Sequence, residues 1–266
     1  MKGIDCAFSL TAYASRLPDL GLGFACRYYG GSAAKDLTPG EAKALSDNGL
    51  QIVTVWESTG DNPDTFDDAH GKMHAQAALV QAWQVGQPDG STIYFAVDFD
   101  ATEEQVTNGV LPYFEAVRAV LQPPKFNVGV YGSGAVLNAV RALVEHGWLA
   151  QSRGWRGTAG FEGHHIQQGS TTQIVLKGMS VDTDESLVDD FGGWKVGEPA
   201  VSQAPQVPAG VPDTQGRSIR PTEAQMADAI KTLQGYLKAL GLYSGMLDGI
   251  AGPATRAALE AWEAQG

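Results

Sequence analysis

Acidic residues recur at the ends of short β-rich runs. Asp5, Glu57, Asp98 and Asp182 each close such a run, and Asp100 follows Asp98 by two positions. If the runs are parallel strands of one closed sheet, their carboxyl ends converge on a single mouth. Carboxylates crowded there raise one another's pKa, so one can stay protonated as an acid while another stays ionised. Hydrolysis of a glycosidic bond needs that division of labour. Asp98 carries the most weight, because a charge ending the near-continuous apolar run Thr92–Asp98 needs partners or a use. Asp5 or Asp182 alone could instead cap a following helix.

Side chains that could hold a sugar lie close by. Tyr28, Tyr131, Trp194 and Gln167 fall at or near strand ends, where flat rings and an amide suit a pyranose, although each ring could equally be core. Arg27 could pair with a site carboxylate, hold an anionic sugar substituent or form a structural ion pair.

The elements that must position these groups alternate. β-rich runs at Lys2–Asp5, Gly23–Tyr29, Gln51–Trp56, Thr92–Asp98 and Phe126–Tyr131 are separated by helical stretches. Thr38-Pro39-Gly-Glu41 and Thr102-Glu-Glu-Gln105 read as helix-capping boxes, an Ala-rich helix spans about Thr65 to Val85, and a later helix bends near Pro112. Beyond Gly147 the pattern weakens, leaving His164–Gln168 and a strand somewhere between Gln173 and Asp182. An α/β fold follows, best a compact (β/α)8 TIM-like barrel over residues 1–196, with a doubly wound sheet as the alternative. Residues 197–221 are rich in Pro and small residues and read as a linker; residues 222–266 read as a small all-α domain.

Other chemistries are weakly supported. His70 and His74 have the spacing of a helical zinc pair, but the Glu of H-E-x-x-H is missing, so a solvated helix face is the better reading and a zinc amidase the weaker one. Ser133 is not in a nucleophile elbow. No phosphate-binding Gly loop occurs, and neither a cofactor nor a metal is expected.

Composition narrows the partners. The net charge is −12, and residues 1–196 carry 13 Lys and Arg against 23 Asp and Glu, which argues against nucleic-acid binding. Cys6 and Cys26 are the only cysteines and read as buried free thiols. No apolar run is long enough for stable membrane insertion, and the first twenty residues do not read as a signal peptide. The expectation is a monomer made in a host cytoplasm, acting in the periplasm or cell wall after delivery by a holin or a secretion apparatus.

Two resemblances make the expectation specific. Gly3-Ile-Asp5, Tyr94-Phe-Ala-Val-Asp-Phe-Asp100 and Ser180-Val-Asp182, with Arg27-Tyr-Tyr-Gly30 and Val130-Tyr-Gly-Ser133, resemble the glycoside-hydrolase-like family related to the family 25 lysozymes. The resemblance implies that Asp100 stands in the place of the lysozymes' donor Glu, Asp98 in its partner's, and Asp5 and Asp182 in flanking roles. Because Asp is one methylene shorter than Glu, Glu57 is a second candidate for the acid.

The C-terminal stretch, with Leu233-Gln234, Asp248-Gly249, Gly252 and Thr255, resembles a peptidoglycan-binding domain. Thr222 and Gln225 form its capping box, Met226, Ile230, Leu233, Leu237 and Leu240 an apolar stripe, and Leu259 and Trp262 the face of its second helix. Together these imply an endolysin-type muramidase anchored to bacterial peptidoglycan. The alternatives are a non-catalytic wall-binding protein and an N-acetylmuramoyl-alanine amidase.

Overall fold

A computed structural model of the chain describes residues 1–31, 34–121, 126–169, 174–176, 178–198, 223–239 and 241–263. Eight strands close a barrel: β1 (Lys2–Asp5), β2 (Phe24–Tyr29), β3 (Gln51–Trp56), β4 (Thr92–Ala96), β5 (Asn127–Gly132), β6 (His146–Leu149), β7 (Ile166–Gln168) and β10 (Asp182–Ser186). A short ribbon of β8 (Val175–Leu176) and β9 (Met179–Ser180) precedes the last strand.

The barrel expected from the sequence is present, with two differences from a full (β/α)8 repeat. Strands β1 to β7 are parallel in chain order, but β10 closes the sheet antiparallel to both β7 and β1. Within the barrel, among the described residues, helices longer than one turn follow only β2 to β5: α1 (Pro39–Asp47), α2 (Asp68–Val85), α4 (Leu111–Leu121) and α5 (Gly134–Val140). An antiparallel neighbour needs no crossover helix, which is how the barrel closes in fewer than 200 residues.

Local sequence explains the helices. Thr38 caps α1 by accepting from Glu41 N at 3.2 Å, but the Glu41 side chain does not complete the box because it turns inward to Arg27. The Thr102 box is complete and opens α3 (Glu103–Gln105). Ahead of Pro112 the backbone widens into a π turn over Val106–Val110, which accommodates the proline's missing N–H. Asp67 caps α2 and Gly86, at φ 78°, ends it. Gly71 lets α2 lie against α4, since a Cβ there would come within 2.4 Å of Tyr113 O.

Strand parity sorts the side chains. Phe24, Cys26, Val53, Val55, Tyr94, Ala96, Trp148 and Ile166 fill the barrel interior, and Phe191 plugs its floor, 4.9 Å from Phe24 ring to ring. The opposite face, with Ile4, Ala25, Ile52, Phe95, Val128 and Val130, packs under the helices. Cys6 and Cys26 are buried free thiols, and burial raises Cys6 to about 11.

The C-terminal module has α6 (Glu223–Ala239) and α7 (Pro253–Glu263). Its Leu233, Leu237, Tyr243 and Ala258 form one cluster with Met73 of α2. Gln234 is the module's hub. Its buried amide nitrogen lies within 2.7–3.2 Å of Asp248 Oδ1, Ile250 O, Thr255 Oγ1 and Tyr243 Oη, and its oxygen accepts from Gly249 N at 3.1 Å. The Leu-Gln and Asp-Gly…Thr motif residues are thus one hydrogen-bonded core. Thr222, Leu240 and the linker from residue 199 lie outside the described residues, as do the side chains of Gln225, Met226 and Trp262. Among the described residues no helix is long and apolar enough to cross a membrane.

Candidate active site

The inward parity of β1, β3, β4 and β10 carries Asp5, Glu57, Asp98 and Asp182 into one pocket of about 220 Å³ at the strand-end mouth. Its wall includes Tyr28, Tyr131, Trp148, Trp155 and Gln168. Two of these aromatic rings are locked edge to face, Tyr131 on Trp148 at 4.9 Å between centroids.

A hydrogen-bonded chain joins two of the acids. Tyr28 Oη donates to Asp5 Oδ1 at 3.0 Å, and Gln168 Nε2 donates to Asp5 Oδ2 at 3.0 Å. Gln168 Oε1 accepts from Tyr131 Oη at 2.8 Å, and the same hydroxyl lies in hydrogen-bonding reach of Asp98. Tyr131 has one proton to give, so it serves Gln168 or Asp98 but not both.

Asp98 and Glu57 have different surroundings. Burial raises the Asp98 pKa and the charge of Asp61 adds to the rise. Burial also raises Glu57, but Lys35 opposes it, with Nζ 3.4 Å from Glu57 Oε2. Lys35 simultaneously lies 4.1 Å over the Tyr28 ring, a cation–π contact that holds it at the pocket edge. Of the two acids, Glu57 is the one with a cation in ion-pair contact.

Four expected site residues lie elsewhere. Asp100 turns outward and clamps the loop after β6: its Oδ1 accepts from Arg156 N at 2.8 Å and its Oδ2 pairs with Arg156 Nη1 at 2.9 Å. Arg27 points to the helix side of β2 and is fully buried against Glu41, Nε to Oε1 2.7 Å, so of its three readings the structural ion pair holds. Trp194 pairs through its backbone with Ile52, at the amino end of β3 and hence at the barrel floor. Gln167 faces away from the pocket, its amide bonded to Leu149 O and Gln168 O; the inward amide is Gln168.

His74 does not lie on a solvated helix face: it is 4% exposed, bonded through Nδ1 to Tyr113 Oη at 2.8 Å and packed on Trp56. Burial, with a smaller push from His70, lowers its pKa to about 3. Ser133 caps α5 by accepting from Val136 N. Among the described residues no three His, Cys, Asp or Glu side chains form a group that could hold a metal.

Sequence reasoning missed Lys35, Trp148, Trp155, Gln168 and Asp184. Asp184 lies one layer below Asp5, opposite Gly3 on β1, and accepts from Trp148 Nε1 at 2.9 Å. Strict alternation from Asp182 is the signal that finds it. A larger cavity of about 440 Å³ between α2, the loop after β2 and the module is mostly apolar; its one carboxylate, Asp36, is taken up by Gly31 N and Gln81 Nε2.

Comparison with known proteins agrees with this architecture. The chain is 31% identical over 131 residues to protein YbfG of Bacillus subtilis, a match covering 46% of this chain and 18% of that one. For protein FadG of the same organism the identity is 27%, over 50% of this chain and 24% of the relative. The chain thus spans about a fifth to a quarter of the length of these relatives. It is 27% identical to the "Putative peptidoglycan hydrolase Rv2525c" of Mycobacterium tuberculosis, over 60% of this chain and 67% of that protein. The crystal structure of that Tat-secreted protein in complex with L-tartrate superposes with a TM-score of 0.60 at 25% identity, covering 73% of this chain and 98% of the other. Residues 227–265 match the "Putative peptidoglycan binding domain" family. Residues 15–188, which span most of the barrel strands and three of the four pocket acids, match the Rv2525c-like, glycoside hydrolase-like domain, and the chain belongs to that family.

Proposed function

We propose that this protein is a peptidoglycan hydrolase of the muramidase type. It cleaves the β-1,4 bond between N-acetylmuramic acid and N-acetylglucosamine, with Asp98 as the proton donor and Glu57 as its ionised partner. The observation that carries the reading is the meeting of four strand-end carboxyls in one aromatic-walled pocket, on a chain that also matches a wall-binding family. Among the described residues Asp98 has no cation in ion-pair contact, and burial and then Asp61 hold it toward its neutral form against the weaker pull of Tyr131 and Lys35, as a general acid requires. Glu57 keeps Lys35 at its side. In the reaction Asp98 gives its proton to the leaving glycosidic oxygen, while Glu57 either attacks the anomeric carbon or takes a proton from the attacking water. Which of the two occurs is set by the carboxyl separation on substrate.

The wall is the proposed place of action, and the module the anchor that keeps the barrel at high local concentration along the polymer. The test is mass spectrometry of purified peptidoglycan digested by the wild type, Asp98→Asn and Asp100→Asn, with borohydride marking new sugar ends. Reduced muramic-acid ends are expected from the wild type and from Asp100→Asn, and about 10²- to 10⁴-fold fewer from Asp98→Asn. Release of free amines would indicate an amidase. Wall pull-down without any soluble product would indicate a binding protein.

A further inference from the structure

Asp184 is 3% exposed, buried more deeply than Asp5 at 5%. It stands opposite Gly3, among interior residues that include Cys26, Tyr94 and Trp148. Its Oδ1 accepts from Trp148 Nε1. Its Oδ2 is buried and receives no donor from the surrounding protein, yet the carboxyl lies in hydrogen-bonding contact with Asp5. Both oxygens of Asp5 already accept, one from Tyr28 and one from Gln168. Two carboxylates offer only acceptors to each other, and an unpaired charge in such a layer costs far more than a neutral acid. One proton placed on Asp184 Oδ2 satisfies every atom of the pair.

We propose that Asp184 is a permanently protonated acid whose hydroxyl donates to Asp5, fixing Asp5 as an ionised, oriented carboxylate at the pocket floor. Asp184 is in this sense a positioning residue, and the proposal rests on the pocket being the active site. The titratable groups facing it are Asp5 on β1, Cys26 on β2, Tyr131 on β5 and Asp182 on its own strand; none is a cation at neutral pH. Burial and then Asp5 drive the Asp184 pKa well up. Asp5, also raised by burial, is pulled back by its bonds from Gln168, Tyr28 and Asp184. With three donors around it, Asp5 is the member of the pair that carries the charge.

The experiment uses the full chain labelled with ¹³C at aspartate carboxyls, with Asp184→Asn assigning the resonance. The Asp184 carboxyl is expected to keep a protonated chemical shift from pH 5 to 8, a readout independent of activity. A resonance that titrates as an ordinary carboxylate would overturn the proposal while leaving the muramidase reading intact. Loss of the reading itself would appear as an unchanged digest from Asp98→Asn.

Kinetics give the second arm. Asp184→Ala removes the donor and is expected to lower kcat at least tenfold with little change in KM, and to move the acid limb of the pH profile upward. Asp184→Asn, whose amide can accept from Trp148 and donate to Asp5, is expected to rescue most of that loss. The folded protein retains a proton that the unfolded chain releases above pH 3.8, so wild-type stability falls as pH rises. Asp184→Asn should therefore gain in melting temperature on the wild type between pH 5 and 8. If it instead abolishes activity as Asp98→Asn does, Asp184 acts as an ionised group and the proposal fails.

Discussion

Removing Glu41 tests whether Arg27 is architecture and not a ligand contact. Both side chains of this pair are 0% exposed. The guanidinium reaches Glu41 Oε1 at 2.7 Å, Cys6 O, and Lys35 O at 2.9 Å, and Glu41 Oε1 also accepts from Leu10 N at 2.7 Å. In Glu41→Ala a buried cation loses its counter-charge, which costs about 3–5 kcal/mol. The orphaned Leu10 N–H pushes the total toward the upper end, since a buried unpaired donor costs about 1–3 kcal/mol by itself. For a folding unit of this size each kcal/mol moves Tm by about 2–4 °C, so scanning calorimetry at pH 7 should show a fall of roughly 6–20 °C. The double variant Arg27→Met/Glu41→Leu removes both charges and should recover most of the loss. A Glu41→Ala protein that melts within about 2 °C of the wild type would refute the argument, because it lies below the smallest shift that breaking a buried pair allows.

Three further outcomes follow from the geometry. His74 is neutral in the fold, with its pKa lowered to about 3; below pH 6.5 the unfolded chain takes up a proton that the folded one refuses, so stability drops by about 1.4 kcal/mol per pH unit on this account. His74→Phe should flatten that acid limb in denaturant titrations between pH 6.5 and 4, and an unchanged slope would show that His74 is not the group responsible. Lys35→Met takes the cation from Glu57 and should shift the acid limb of the activity profile to higher pH; no movement would mean that Glu57 is not the ionised partner. Gln234→Ala leaves Gly249 N without its acceptor and removes the amide that ties Tyr243, Asp248 and Thr255 together, in a module too small to absorb the loss. Binding to insoluble wall should collapse while cleavage of short soluble fragments persists, and intact pull-down would refute the hub role.

The pocket was legible in the sequence wherever a strand was long and apolar enough to fix its parity. Thr92–Ala96 is buried throughout, so the inward direction of Asp98 follows from Tyr94 and Ala96. The same rule, applied at Arg27, would have turned it away from the mouth; proximity to a strand end outweighed it. Trp194 lies in no strand and makes only an isolated bridge to Ile52, so parity has no hold on it. In β7 only three residues are paired, too few to show alternation, and the slip between Gln167 and Gln168 results. The antiparallel direction of β10 was invisible for another reason: Asp182 and Asp184 occupy its inward face and Thr183 and Glu185 its outward one, so no apolar face marks it as a strand. Asp100 shows the reach of positional analogy, since the neighbouring Arg156 decides where its carboxylate goes.

The reversed direction of β10 also decides where the chain leaves the barrel. The strand starts at the mouth, with Asp182 beside Asp5, and runs down to the floor. There Phe191 plugs the interior, Trp194 exchanges two backbone hydrogen bonds with Ile52, and Val196 N bonds Ser46 Oγ at the end of α1. The chain toward the wall-binding module therefore leaves from the face opposite the pocket. The Ile52–Trp194 pair and the Phe191 plug therefore stand between that exit and the carboxyls, which line the other end of the barrel. The residues that hold the outgoing segment are thus none of those that line the pocket.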